Sequence, residues 1–237
     1  MADAAVERET GSTMAGLRAA WPICLGYFPI GLSLGVLAQK SGLAPWQVAA
    51  MSLIVFAGGS QFIAVAMLQT KASPPAIVAT TFMVNLRHLL MSSSLSLHLG
   101  GAGRRFLALF AYGVTDESFA VNIARFGSGN WSRRSALVLN QAANATWFVS
   151  TVTGSFCGQF IPAGSFGIDY ALTAMFICLL TFQLKNRLFV ATALTSATLS
   201  VLLYLALPGN AYIIAASCLA ATAGFVIKRR LAARGKP

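Results

Sequence analysis

Residues 46–69 read WQVAAMSLIVFAGGSQFIAVAMLQ, a long apolar run without one ionisable side chain. About 20 helical residues cross the hydrocarbon core of a bilayer, so the run has the length of a membrane span. Its centre is Ala57-Gly58-Gly59-Ser60-Gln61-Phe62. Adjacent glycines disfavour helix, and Ser60 and Gln61 bring polar groups to the middle of the run. A helix broken at that depth exposes backbone N–H and C=O groups, tolerated only where they line a cavity or are buried in protein. The N-terminal end of the half-helix that follows favours a carboxylate. The competing reading of the same glycines is a tight helix crossing.

The rest of the chain has the same character. Of its 237 residues, 57% are hydrophobic and 10% charged, and the mean hydropathy is +0.71. A soluble domain carries about 25% charged residues. The composition therefore excludes a soluble globular enzyme, a disordered tail and, despite a net charge of +11, a nucleic-acid-binding domain. A basic excess of this kind reports orientation in a membrane. Cys24, Cys157, Cys178 and Cys218 lie in apolar segments with no CxxC pair, as small buried side chains do. About 18 polar or mixed residues precede the first apolar run, which is not a signal-peptide pattern.

Apolar runs separated by Gly, Pro and basic clusters predict an all-α, polytopic transmembrane helical bundle of eight spans, some of them discontinuous. The spans are Ala19–Ala38, Trp46–Gln69, Pro75–Leu99, Phe106–Ala124, Ser135–Gly158, Asp169–Leu184, Leu188–Leu207 and Ala211–Ile227. Seven is the alternative, because only Pro208-Gly209-Asn210 separates the last two. The organisation is a cytoplasmic N-terminal segment over 1–18, a transmembrane domain over 19–227 and a basic cytoplasmic tail over 228–237. With both termini cytoplasmic, thirteen of the 17 Lys and Arg residues fall inside and three (Lys40, Arg104, Arg105) outside. No internal sequence repeat is evident.

Polar residues inside the spans mark the candidate site. In the first span Pro29 lacks an N–H and its ring clashes with the preceding turn, which predicts a kink or break near Gly26. Gly31 and Gly35 form a GxxxG pattern suited to close helix packing. The third span carries Asn85-Leu86-Arg87-His88. A mid-span arginine costs ~3 kcal/mol on insertion scales, so Arg87 must face the protein interior and find a partner. Thr115-Asp116-Glu117-Ser118 offers one. Adjacent helical residues point about 100° apart, so one acid can pair with Arg87 while the other faces a cavity. A plain structural brace and a site for a carboxylate, an ammonium or a proton are both compatible with this pattern. His88 can titrate near neutral pH. In the fifth span Asn140 and Asn144 share one helix face. No GxSxG elbow or HExxH helix is present, so neither an intramembrane enzyme nor a metal site is expected.

Four segments together resemble the AzlC family of branched-chain amino acid transport proteins. They are Pro22-Ile23-Cys24-Leu25-Gly26-Tyr27-Phe28-Pro29-Ile30-Gly31, Phe56-Ala57-Gly58-Gly59-Ser60-Gln61-Phe62, Asn85-Leu86-Arg87-His88 and Gly113-Val114-Thr115-Asp116-Glu117. Their order and spacing fit over nearly the whole chain, and the motifs stop near residue 118. Family members can have Asp at the position of Asn85 and Ala at that of Gly59. The resemblance implies a bacterial inner-membrane exporter of leucine, valine, isoleucine or methionine. It also implies proton-motive coupling and a small AzlD-type membrane subunit as partner, with a higher oligomer open. No cofactor or nucleic acid is expected.

The candidate substrate-binding residues are Gly26, Pro29, Gly58, Gly59, Ser60, Gln61, Asn85, Arg87 and Asn144. The candidate proton-coupling residues are Asp116, Glu117 and His88.

Overall fold

The computed structural model describes residues 2–161, Tyr170, Ala174, Ile177, Leu180, Thr181, Leu184, 187–206 and 211–234. Every regular element among them is helical. In chain order they are α1 (Ala2–Lys40), α2 (Pro45–Ile54), α3 (Gly58–Gln69), α4 (Pro74–Ser96), α5 (Arg104–Tyr112), α6 (Asp116–Gly127), α7 (Arg133–Cys157), α8 (Arg187–Ala206) and α9 (Ala211–Arg234). A short 3₁₀ turn, Gly158–Phe160, ends α7. The sixth expected span lies outside the described residues apart from six isolated positions, as does the Pro208-Gly209-Asn210 connection. Two stretches, Gly11–Lys40 and Arg187–Leu205, are continuous helices long and apolar enough to cross a membrane.

The frame is a parallel pair, α1 and α7. Ser12 hydrogen-bonds Ser132 and Ser135 at one end of the pair. At the other end, a Cβ on Gly35 would run into the backbone of Thr151–Ser155, and one on Gly31 into Ser150. Gly154 presses in turn on the backbone of Leu32. Gly31 and Gly35 thus do what their spacing predicts: they let two backbones approach. The predicted break near Gly26 is absent, and α1 runs unbroken through Pro22 and Pro29. The missing N–H groups weaken the helix locally, but contact with α7 over most of its length splints it.

The expectation that residues 46–69 and 106–124 each cross the bundle is not met. The chain turns back in both places. Gln69, the last residue of α3, donates to Ser41 at 2.8 Å, just past the end of α1. The α2–α3 segment therefore leaves and re-enters at the same end. Likewise His98, just past α4, stacks on Phe126 near the end of α6, with centroids 5.0 Å apart. Arg133, opening α7, donates to the Gly100 carbonyl at 3.1 Å. The α5–α6 segment is thus a second re-entrant hairpin, entering from the end that holds the N-terminus. Arms of 9 to 12 residues rise only about 14–18 Å, half of a bilayer core. The breaks are three residues each, Val55-Phe56-Ala57 and Gly113-Val114-Thr115.

The order over residues 2–157 is therefore long helix, hairpin, long helix, hairpin, long helix. The first unit (α1 with α2–α3) and the second (α4 with α5–α6) are the same motif pointing in opposite directions. Both returning helices, α3 and α6, have 12 residues and start 58 positions apart. This inverted repeat is hard to see in the sequence because most corresponding residues differ: Gly58-Gly59-Ser60-Gln61 stands against Asp116-Glu117-Ser118-Phe119, with only the serines shared.

Each hairpin leaves carbonyls unpaired at the end of its first arm, and polar side chains take them. Asn140 donates to the Phe110 carbonyl at 3.2 Å and accepts from Asn122 at 2.9 Å. Gln141 donates to Leu109, and Trp131 to Asn122. Tyr112, ending α5, donates to the Leu53 carbonyl in the last turn of α2, so the two hairpins are tied together. Asn140→Leu would strand the buried Asn122 amide at about 1–3 kcal/mol and is expected to lower the unfolding temperature of the detergent-purified protein. Asn144→Leu removes an amide nitrogen that is already without a partner, and is expected to leave that temperature unchanged or raised. Cys24 is half-buried as expected, whereas Cys157 is exposed at the end of α7.

Candidate functional site

The tips of the two hairpins meet in the middle of the bundle around a cavity of about 50 Å³. This is smaller than an amino acid, and the site is not sealed, since Arg87 and Asp116 in its wall are each about one-third exposed. Three kinds of group line it.

The first is backbone. Gly58 and Gly59 open α3, whose N-cap, Ala57, makes no side-chain cap. The first N–H groups of α3 are thus bare at the positive end of a half-helix. Glycine is required here: a Cβ at Gly58 would come within 2.8 Å of the Trp147 ring.

The second is charge. α6 begins at the same cavity with Asp116 and Glu117 in its first turn. Its N-terminus is capped by a reciprocal pair, in which Thr115 N–H donates to Ser118 Oγ at 2.9 Å and Ser118 N–H to Thr115 Oγ1 at 3.3 Å. Arg87 of α4 pairs with Asp116 at 2.8 Å, as its mid-span position predicts. Each side chain is about one-third exposed (31% and 33%), and Arg87 Nε is buried without a partner. Glu117 takes the other expected role: it faces the cavity and accepts a 2.6 Å hydrogen bond from the Tyr27 hydroxyl. That hydroxyl also lies 2.8 Å from Thr115 Oγ1. His88 lines the same wall, with Nδ1 3.0 Å from the Val114 carbonyl and Nε2 buried without a partner.

The third is an apolar and aromatic wall. Tyr27 stands edge-on to Trp147 at 5.3 Å and to Phe56 at 6.4 Å, and Ile30 completes the wall. Sequence reasoning did not single out Tyr27, Phe56, Thr115 or Trp147. Tyr27 and Phe56 lie inside quoted motifs, and a tyrosine or tryptophan at mid-span was the available signal.

Other candidates sit elsewhere. Gln61 is 1% exposed and fully engaged: its oxygen accepts from Trp147 Nε1 at 2.7 Å, and its nitrogen donates to Ser52 at 3.1 Å. Ser52 in turn bonds Thr151 at 2.8 Å. Gln61 therefore steadies the wall from behind. Ser60 donates to Asn85 Oδ1, joining α3 to α4. Gly26 and Pro29 are exposed on α1 and outside the cavity lining; Asn144 on α7 is half-buried and also outside it. Among the described residues no group of three His, Cys, Asp or Glu side chains converges to hold a metal.

Comparison with known proteins adds a family. The family model described as AzlC protein matches residues 22–161, the segment that builds both hairpins and the cavity. The chain is 32% identical over 200 residues to the inner membrane protein YgaZ of Escherichia coli (strain K12), covering 81% of this chain and 82% of that protein. It is 29% identical over 199 residues to the branched-chain amino acid transport protein AzlC of Bacillus subtilis (strain 168), covering 82% and 77%. An uncharacterized membrane protein of Archaeoglobus fulgidus is 31% identical over 175 residues, covering 73% and 76%. No solved structure matches the chain.

Proposed function

Because the chain belongs to the AzlC protein family, we propose that it is a multi-pass inner-membrane transporter that exports branched-chain or similar small apolar amino acids (Leu, Val, Ile, Met) by proton antiport. The observation that carries this reading is the central cavity. It sets bare helix N–H groups, an arginine and two carboxylates against an aromatic wall, with one hairpin between it and each end of the bundle.

The roles follow from charge. The substrate carboxylate takes the N–H groups of Gly58 and Gly59 together with Arg87, whose Nε has no other partner. Asp116 or Glu117 takes the ammonium. Tyr27, Ile30, Phe56 and Trp147 take the side chain. The titratable cluster of His88, Asp116 and Glu117 handles the proton.

The hairpins are the two gates. The α2–α3 hairpin separates the cavity from one end of the bundle, and α5–α6 separates it from the other. Each is latched across the repeat: Tyr27 of α1 holds the α6 tip, and Asn85 of α4 holds Ser60 near the α3 tip. Tyr27 and Asn85 stand 58 positions apart, the same interval as the two returning helices. With both latches made the cavity is too small for an amino acid, so transport requires one gate to open at a time.

The hairpin topology also re-sorts the basic residues. Of the ten Lys and Arg residues before position 161, Arg8, Arg18, Arg104, Arg105, Arg125, Arg133 and Arg134 fall at the N-terminal end. Lys40 and Lys71 fall at the other, and Arg87 lies between. Arg104 and Arg105 thereby change sides from their expected outer loop, as Lys71 does from its inner one. The bias supports a cytoplasmic N-terminus. A small AzlD-type subunit is proposed as partner.

The test is efflux and counterflow of labelled leucine, valine and methionine in proteoliposomes, with and without a co-purified small subunit. Saturable counterflow, with uphill movement driven by a pH gradient, is expected. Non-saturable flux without counterflow would mean a channel instead.

A further inference from the structure

Five ionisable side chains line the cavity from three elements, Tyr27 of α1, Arg87 and His88 of α4, and Asp116 and Glu117 of α6, and they are not equivalent. Asp116 is held by Arg87 at 2.8 Å, and Glu117 by the Tyr27 hydroxyl at 2.6 Å. Both carboxylates therefore already have a partner. His88 differs. Its Nδ1 lies 3.0 Å from the Val114 carbonyl, and a carbonyl only accepts, so the hydrogen of a neutral ring sits on Nδ1. Nε2 then carries a free lone pair, and it is buried in the cavity wall without a partner. Val114 is the middle residue of the α5–α6 break, so the bond that fixes the tautomer is a bond to a gate.

We propose that His88 carries the coupling proton on Nε2, and that its protonation state is linked through Val114 to the position of the α5–α6 hairpin. The inference rests on the proton-antiport reading and deepens it. A proton entering the open cavity forms an N–H bond with the Nε2 lone pair, and the neutral ring becomes an imidazolium. The charged groups facing it are Arg87 from its own helix and Asp116 and Glu117 from α6, with the Tyr27 hydroxyl from α1. Imidazolium needs an acceptor for its new N–H and finds only these carboxylates among the charged groups of the wall. It thereby competes with Arg87 for Asp116, and with a substrate ammonium for both acids. Proton and amino acid then occupy the cavity in turn, which is what antiport requires. When the second gate leaves, Nδ1 loses its acceptor and the ring gives up the proton from Nε2 to water on that side.

The test is His88→Gln, whose amide can still donate to Val114 but takes up no proton in the working pH range. Reconstituted wild type is expected to show both leucine counterflow and uphill leucine movement under an imposed pH gradient. His88→Gln is expected to keep counterflow and lose the uphill movement. Uphill movement surviving in His88→Gln would overturn the proposal and return the proton to Asp116 or Glu117. Wild type that exchanges leucine but ignores the gradient would instead overturn the proton-antiport reading itself. If His88→Gln also loses counterflow, the decision passes to a chain with a native site. The protein has only His88 and His98, so His98→Gln leaves one imidazole for ¹⁵N NMR. Saturating leucine at fixed pH is expected to move the Nε2 resonance between its protonated and lone-pair positions. An Nε2 signal that stays unchanged would overturn the assignment.

Discussion

Arg87→Ala is expected to abolish leucine efflux and to lower the amount of folded protein. Arg87→Ala combined with Asp116→Ala is expected to restore the amount of protein while leaving efflux abolished. The two effects separate because Arg87 serves two ends. As the partner of Asp116 it neutralises a charge near the middle of the bundle, and removing one member of such a pair leaves the other uncompensated. With each side chain about one-third exposed, the structural cost falls at or below the lower end of the usual range, roughly 2–3 kcal/mol. Deleting both members removes that penalty. As a clamp on the substrate carboxylate, Arg87 cannot be replaced in the same way. Losing a desolvated charged contact costs about 2–5 kcal/mol, roughly 30-fold or more in affinity. Arg87→Lys keeps the charge but loses the planar fork and the free Nε–H. It is therefore expected to fold normally and to bind leucine weakly. Normal efflux from Arg87→Ala would remove the carboxylate role. Recovery of efflux in the double variant would reduce Arg87 to a brace.

How much of this was legible in the sequence depends on the kind of signal each feature leaves. The Arg87–Asp116 pair was legible, because an arginine in an apolar run must find an acid and few acids were on offer. The break before Gly58 was legible because adjacent glycines weaken a helix, and it falls at Val55–Ala57, just ahead of them. The split of the fourth segment left a weaker trace. Thr115 and Ser118 make a capping box, which marks a helix beginning at Asp116 rather than passing through it. Re-entry was not legible at all. A 24-residue apolar run has the same hydropathy whether it crosses or dips and returns, and only long-range contacts such as Gln69 to Ser41 tell the two apart. The unbroken α1 failed for the opposite reason. Pro29 is a genuine local breaker, but the packing of Gly31 and Gly35 on α7 overrides it. Polar residues misled in the same way. Gln61 looks like a ligand in sequence, yet its hydrogen bonds are consumed by Trp147 and Ser52.

Tyr27→Phe and Asn85→Ala are expected to open the same cavity to opposite sides of the membrane. The reporter is a cysteine at Ala57, a buried residue of the cavity lining, in a chain whose four native cysteines are replaced by serine. With both latches intact the 57 thiol should react slowly with a charged, membrane-impermeant reagent from either side. Tyr27→Phe deletes only the hydroxyl that ties α1 to Thr115 and Glu117 at the tip of the second hairpin. It also leaves the Glu117 carboxylate without that donor, which favours a position of α6 where water reaches it. Because α5–α6 fills the half of the bundle next to the N-terminus, labelling should become fast from the N-terminal side alone. Asn85→Ala deletes the acceptor for Ser60 near the tip of the first hairpin, which fills the other half. Labelling should then become fast from the opposite side alone. The paired design matters, since a general loosening of the protein would raise both rates in both variants. Equal two-sided labelling, or acceleration from the same side in both, would mean that the hairpins are fixed scaffold. The symmetry makes the demand strict: residues 58 positions apart, on helices running in opposite directions, must produce mirror-image results. No single-gate or channel arrangement supplies a reason for that.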